Sequence, residues 1–179
     1  MKAREILDAL HSVAWFAGWE PSDIKRTESH LEQLQAELVE DGEEDNPALY
    51  LEMADVAYCY DAGDGDEDYV ALLESYAAGS RGRFQPTDIV AGPGPSPDRG
   101  ILRFTVDGRH FAIEYPRGTN VIEESFPEDV NRVLADLGIP QRFLYLPLVD
   151  SGVYLVFATP KLYRQAVKSG AIPREPPQL

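Results

Sequence analysis

Cysteine occurs once in this 179-residue chain, at Cys59, and methionine only twice. A lone thiol excludes an internal disulfide and a thiolate-built zinc site, and it fits a reducing compartment. Cys59 sits in Ala-Tyr-Cys-Tyr, where the expected role is that of an inert, small core residue. No uninterrupted apolar run approaches the roughly 20 residues that a membrane span needs. The opening Met-Lys-Ala-Arg-Glu has no apolar stretch of signal-peptide length, so the expected location is the cytoplasm. No internal repeat is visible.

Catalytic and phosphate-binding signatures are also lacking. No Gly-x-Ser-x-Gly elbow accompanies the serines, and Gly92-Pro-Gly-Pro lacks the lysine and following helix of a P-loop. Prolines there remove the amide donors that cradle phosphate, which leaves a stiff connector as the better reading. His11, His30 and His110 share neither helical nor strand spacing and flank no candidate nucleophile. The alternating aspartates of Asp61-Ala-Gly-Asp-Gly-Asp-Glu-Asp68 invite a calcium-loop reading. An EF-hand, however, needs glycine at its sixth position and glutamate at its twelfth. Counted from Asp64 those positions hold Tyr69 and Ser75, and counted from Asp61 they hold Asp66 and Leu72. No cofactor and no metal are therefore expected.

What the first half has least of is positive charge. Residues 1–80 carry twenty carboxylates against four basic side chains, a net −16, whereas residues 81–179 carry twelve basic and eleven acidic side chains, a net +1. The whole −15 of the chain thus resides in its first eighty residues. A field of that sign repels nucleic acid and anionic membrane and attracts basic surfaces. Two segments concentrate it: Glu40, Asp41, Glu43, Glu44 and Asp45, then Asp61, Asp64, Asp66, Glu67 and Asp68. Both are expected as solvated loops, and these ten residues are the candidate partner-binding set.

With 44% hydrophobic residues the chain can bury one core, and one α+β domain spanning residues 1–179 is the expectation. Residues 1–80 would form its acidic helical part, 81–172 its sheet-containing part and 173–179 a tail. Ile6, Leu7, Leu10, Val13, Ala14 and Ala17 mark a first helix stopping at Gly18, with Trp15 and Trp19 on one face of it. Ser22 is placed as the N-cap of a second helix carrying Ile24, Leu31, Leu34 and Leu38. Asn46-Pro47 opens an expected third helix through Leu49, Met53, Ala57 and Tyr60, and Tyr69, Leu72, Leu73 and Tyr76 mark a fourth ending near Gly79.

After Gly92 to Pro97, expected to hold no regular structure, Asp107-Gly108 between two alternating runs signals a two-residue hairpin. Ser125-Phe-Pro-Glu128 reads as a capping box for a helix closed by Gly138. Phe143 to Val149 and Val153 to Ala158 read as central strands, and Thr159-Pro160 caps a last helix to about Gly170. The expected order is ββαββα, with a further strand possible near Ile89, in one antiparallel or mixed sheet covered by the helices.

From Arg81 onward the chain resembles small bacterial proteins associated with polymorphic-toxin loci, immunity proteins among them. The resemblance rests on Gly82-Arg-Phe84-Gln-Pro86, Phe104-Thr-Val-Asp-Gly108, Phe126 to Asn131 with Leu134, Arg142-Phe143, and Val156-Phe-Ala-Thr-Pro160. It implies a cytosolic antidote that binds and neutralises a cognate toxin, and it carries over no toxin-contacting residue. Such a protein is a non-enzymatic binder whose partner presents a basic surface, with no nucleic acid and no membrane involved. Trp15, Trp19, Tyr50, Tyr58, Tyr60 and Tyr69 are available as aromatic anchors. Two rival readings are an adaptor or regulatory module, for example of a secretion system, and an enzyme using loop carboxylates such as Glu43 and Asp66.

Overall fold

The run Val-Tyr-Leu-Val-Phe-Ala over 153–158 has no polar residue on alternate positions, so a strand built from it has two faces to bury. The computed structural model describes residues 3–40, 56–59, 66–118, 123, 125–146 and 152–173, and it buries both faces. The elements are α1 (Ala3–Ser12), α2 (Pro21–Glu40), β1 (Val56–Cys59), α3 (Asp66–Gly79), β2 (Thr87–Pro93), β3 (Arg99–Val106) and β4 (Arg109–Pro116). They continue as α4 (Phe126–Asp136), β5 (Arg142–Tyr145), β6 (Gly152–Ala158) and α5 (Pro160–Ser169). Two antiparallel sheets of three strands result among the described residues, in the orders β1-β6-β5 and β2-β3-β4.

The fold is therefore α+β, but the single sheet expected from the sequence is two. After α3 the order is βββαββα rather than ββαββα. Leu155 and Phe157 of β6 join Phe143, the α3 residues Tyr69, Leu72, Leu73 and Tyr76, the α4 residues Val130, Val133 and Leu134, and the inner face of β3 and β4. Val156 and Ala158, one residue out of step, join Ile6, Leu7 and Leu10 of α1, Trp15, Phe16, Leu31 of α2 and Ala166 of α5. Helices thus cover both faces of β1-β6-β5, where one face was expected.

Asp107 (φ 50°) and Gly108 (φ 75°) make the β3–β4 turn. Leu102 pairs with Ile113 and Phe104 with Phe111 on the buried side, as the alternation predicts. Tyr115 lies over its register partner Gly100 so closely that a Cβ there would come within 2.3 Å of the ring, and it stacks on Tyr69 with centroids 4.3 Å apart. The strand foreseen near Ile89 is β2. It absorbs Gly92 and Pro93, which the sequence assigned to an irregular segment, because a proline at an edge strand's end costs no ladder bond. Asp88 (φ 53°) bulges this edge between Thr87 and Val90. At the edge of the other sheet, Asn131 of α4 replaces a missing strand. Its Nδ2 donates to the Phe143 carbonyl at 2.9 Å, and its Oδ1 accepts the Phe143 N–H at 2.8 Å. The Tyr163 hydroxyl donates to the Tyr145 carbonyl two residues on.

Four local expectations are corrected. The first helix ends at Ser12, before Gly18: Ala14 takes φ 57°, with Ala14 N–H on the His11 carbonyl and Trp15 N–H on the Leu10 carbonyl, both at 3.0 Å. This is a Schellman stop on a non-glycine residue, and what holds it is the burial of Trp15 and Phe16 immediately after. Trp15 and Trp19 are therefore not on a common helix face. Helix α2 starts one residue before Ser22, and the Glu20 carbonyl, not the serine side chain, accepts the first N–H groups, from Asp23 at 3.0 Å and Ile24 at 3.1 Å. Ala57 and Cys59, placed on a third helix, lie in β1 against Tyr154 and Gly152 of β6. The rest of that expected helix, from Asn46 to Asp55, lies outside the described residues. Finally, Ser125 begins α4 through its carbonyl alone, with no side-chain cap, because its own backbone is already helical. Thr159 does cap α5, accepting the Leu162 N–H at 3.2 Å, and Gly170 ends that helix at φ 83°.

Two stability predictions follow from this geometry. Ala14→Gly relieves a left-handed alanine and should raise stability by about 0.5–1 kcal/mol in urea titrations. A loss of stability would show that the Ala14 methyl group packs productively. Leu155→Ala should cost about 2–5 kcal/mol. Because β6 feeds both cores, tryptophan fluorescence from the Trp15 side and tyrosine near-ultraviolet dichroism from Tyr69, Tyr76 and Tyr115 should report one transition. Separated midpoints would mean that the two cores unfold independently.

Candidate functional site

The turn that closes α1 and the turn that closes α3 meet at an open cleft of about 540 Å³. Its walls are Trp19, Glu20, Asp23, Arg26 and His30 from the start of α2, together with Gly79 and Arg81 from the end of α3. Gly18 (φ 82°) turns the chain so that Trp19 is delivered half-buried at the rim, its ring edge-on to Phe16 with centroids 5.1 Å apart. Trp15 points into the core instead and is 3% exposed. Of the two indoles singled out by the sequence, one is structural and the other faces the cleft.

Opposite Trp19, the segment Ser80-Arg-Gly-Arg-Phe84 is tied into a fixed turn. Ser80 is fully buried, the one buried polar residue among those described, and its hydroxyl lies 2.7 Å from the Ala77 carbonyl and 3.0 Å from that of Phe84. It also accepts the Phe84 N–H at 3.0 Å. Of the three intervening residues, Arg81 (φ 52°) and Gly82 (φ 75°) are both left-handed. A left-handed arginine is unusual and persists where the surroundings hold it. Here the clamp is the Ser80 hydroxyl on one side and the indole on the other: the Arg81 guanidinium carbon lies 3.3 Å from the Trp19 ring centroid. The small basic element thus answers the acidic half from within, through an aromatic face as well as through charge.

Carboxylates stand around this stack. Asp23 pairs with Arg26 at 3.1 Å one helical turn on, and Glu20 is exposed at the rim. The first-turn N–H groups of Asp23 and Ile24 are taken by the Glu20 carbonyl, so these α2 donors are already occupied. The carbonyl end of α3 contributes partial negative charge at Ala78 and Gly79. Among the described residues two carboxyls depart from ordinary titration, and neither lines the cleft. Burial raises Asp129 against the pull of Arg132, and a hydrogen bond from Ser96 lowers Asp98. Among the described residues no cluster of histidine, cysteine and carboxylate has metal-site geometry.

Glu40 is the last residue of α2, and Asp66, Glu67 and Asp68 form the first turn of α3, so these four belong to helices where loops were expected. Asp41, Glu43, Glu44, Asp45, Asp61 and Asp64 lie outside the described residues. The cleft was missed from the sequence because its two walls are far apart along the chain. Its only local signal is Gly79-Ser-Arg-Gly82 after a helix, a turn whose arginine has no obvious duty.

No protein-family model matches this chain, and comparison with curated proteins and with solved structures gives no match. Among the described residues, no helix is long and apolar enough to cross a membrane.

The stack can be weighed by a double-mutant cycle. Trp19→Leu and Arg81→Ala should each destabilise the fold, with a coupling of about 0.5–2 kcal/mol between them. Additive effects, with no coupling, would show that the ring and the guanidinium are merely neighbours.

Proposed function

We propose that this chain is a non-enzymatic binding protein that recognises a protein partner with a basic surface, and specifically an immunity protein that neutralises a cognate bacterial toxin. The observation that carries the reading is the confinement of the chain's net negative charge to residues 1–80, which sum to −16 against +1 for the rest. Self-repulsion within such a segment costs stability, and a basic partner recovers that cost on binding. Many toxins that attack nucleic acid hold their substrate on basic surfaces, and an acidic chain would be steered to such a groove and would occlude it. Steering by long-range charge acts chiefly on the association rate. Anchoring needs a desolvated aromatic or arginine contact, and the Trp19–Arg81 cleft offers both residue types where the acidic half ends. The toxin assignment rests on the resemblance of the segment from Arg81 onward, and the acidic field supports it.

Co-production with the product of the adjacent gene tests the assignment: cells carrying that gene should survive only with this chain, and the two should co-purify. Replacing Glu40, Asp41, Glu43, Glu44, Asp45, Asp61, Asp64, Asp66, Glu67 and Asp68 by lysine should slow association at least about tenfold at low salt, with the difference shrinking as salt is added. Unchanged kinetics after both reversals would remove the electrostatic half of the proposal, and a partner that does not co-purify would remove the toxin.

A further inference from the structure

We propose that the solvent-facing side of β2-β3-β4 is a second docking surface, and that Arg103 at its centre receives a carboxylate that the docking protein carries between apolar side chains. The proposal goes beyond the reading of a basic partner, because this face belongs to the half of the chain whose charge sums to +1.

Alternation along β3 decides the face. Leu102, Phe104 and Val106 enter the core, so Ile101, Arg103 and Thr105 point the other way. The register puts Arg103 between Val90 of β2 and Ala112 of β4, Thr105 beside His110, and Ile101 between Gly92 and Glu114. Arg103 and Ala112 are exposed, and Val90 at 59% is the most exposed large apolar side chain among the described residues. A groove of about 510 Å³ opens on this side of the hairpin, with Asp88, Arg103, Thr105, His110 and Ala112 in its walls.

The polar groups around Arg103 are already engaged, and Arg103 is not. Thr87 Oγ1 donates to Asp88 Oδ2 at 3.2 Å, His110 Nδ1 lies 3.1 Å from Thr105 Oγ1, and a Glu114 oxygen stands 3.9 Å from Arg99 Nε. Among the described residues the Arg103 guanidinium has neither a hydrogen bond nor an ion pair. Its Nη1 lies 3.8 Å from where a Cβ on Gly92 would stand, so the group extends across β2 over a residue with no side chain. An incoming carboxylate therefore displaces only water from it, and the paired bonds that a guanidinium gives a carboxylate are among the stronger hydrogen bonds. Asp88 and Glu114 oppose an anion, but they stand on the outer strands, one to each side. A single carboxylate over β3 is thus accepted and a run of carboxylates is not. Side chains flanking that carboxylate fall on Val90 and Ala112, which are apolar. An arginine centre, an apolar surround and a polar rim make up the composition of interface centres, where arginine is enriched and acidic residues are depleted. A second copy docked face to face about a two-fold axis through this centre would set Arg103 against Arg103, so a different protein is the fitting occupant.

The probe is the peptide N-acetyl-Leu-Asp-Leu-amide, followed through the nitrogen-15 amide signals of Val90, Arg103 and Ala112, which should shift together as it is added. The Leu-Asn-Leu counterpart should bind at least about tenfold more weakly, since the acceptor has lost its charge. A blocked tri-aspartate should also bind more weakly, as should inorganic phosphate, which lacks the apolar flanks. Arg103→Met keeps the stem but removes the planar fork, and it should lose at least about tenfold in affinity for Leu-Asp-Leu, with Arg103→Lys between the two. No shift up to about 10 mM peptide, equal binding of the aspartate and asparagine peptides, or undiminished binding by Arg103→Met would overturn the carboxylate receptor. Phosphate or tri-aspartate binding as tightly as Leu-Asp-Leu would reduce the face to a plain anion site and overturn the docking surface. Near-ultraviolet dichroism checks the fold of each variant. If Arg103→Met fails that check, Val90→Ser probes the same surface through its apolar flank: weaker binding is expected, and unchanged binding would overturn the proposal. No toxin enters this experiment, so its failure is distinct from failure of the toxin assignment.

Discussion

Burial of β6 on both faces is the constraint on which the other elements depend. A strand whose successive residues face opposite cores has no register slip open to it, since one step would exchange Leu155 and Phe157 with Val156 and Ala158 and mismatch both sides at once. The strand also fixes who can be a neighbour. Its flanks are β1 and β5, and β5 presents an outer edge that Asn131 and Tyr163 satisfy with side-chain groups. Those two residues come from α4 and α5, one from each side of the sheet, so the edge is closed from both layers. The same device blunts an edge that would otherwise template pairing with another chain.

The cleft lies where the two layers meet again. Trp19 and the start of α2 pack with the core of Ile6, Leu10 and Val156, whereas α3 packs with the core of Tyr115 and Phe157. The Arg81–Trp19 stack therefore joins elements that the sheet separates. Two of the four non-glycine residues with positive φ among those described, Ala14 and Arg81, stand in the turns that form its two walls. Each is held by what immediately follows or precedes it in the core: Trp15 and Phe16 beyond Ala14, Ser80 before Arg81. Backbone strain and an open cleft coincide here because the buried residues fix the turn and leave the strained residue facing outward.

The sequence was legible where local chemistry and burial agreed. Asp107-Gly108, Thr159-Pro160 and the run from Tyr69 to Gly79 each carry turn, cap or periodic signals that tertiary packing reinforces, and each element formed as expected. It misled where packing overrode a local cue. Gly18 looked like a helix stop, but burying Trp15 and Phe16 is worth more than the strain of ending the helix at Ala14. Ala57 and Cys59 fit a helical pattern, yet the open flank of β6 recruits them as a strand, a demand invisible in the local sequence. The cleft was not legible: Trp19 was read as sharing a helix face with Trp15, and only the three-dimensional structure brings Arg81 to it.

That meeting bears on why the acidic half is tolerated at all. Between Arg26 and Arg81 the chain has no lysine or arginine and sixteen acidic residues. The two basic residues that bound this stretch line the same cleft, Arg26 held by Asp23 and Arg81 by Trp19. An exposed ion pair stabilises little, because water screens it and two long side chains must be ordered to form it. A guanidinium on an indole pays less of that cost, since the ring is already fixed by Phe16 and the arginine's base by Ser80. The positive charge nearest the acidic field is thus kept at a defined place by packing, independent of salt to a degree that a surface pair is not. The field of the many carboxylates weakens with ionic strength, while the place of this guanidinium is set by one ring and one turn. The acidic segment can therefore vary in detail without altering the stack.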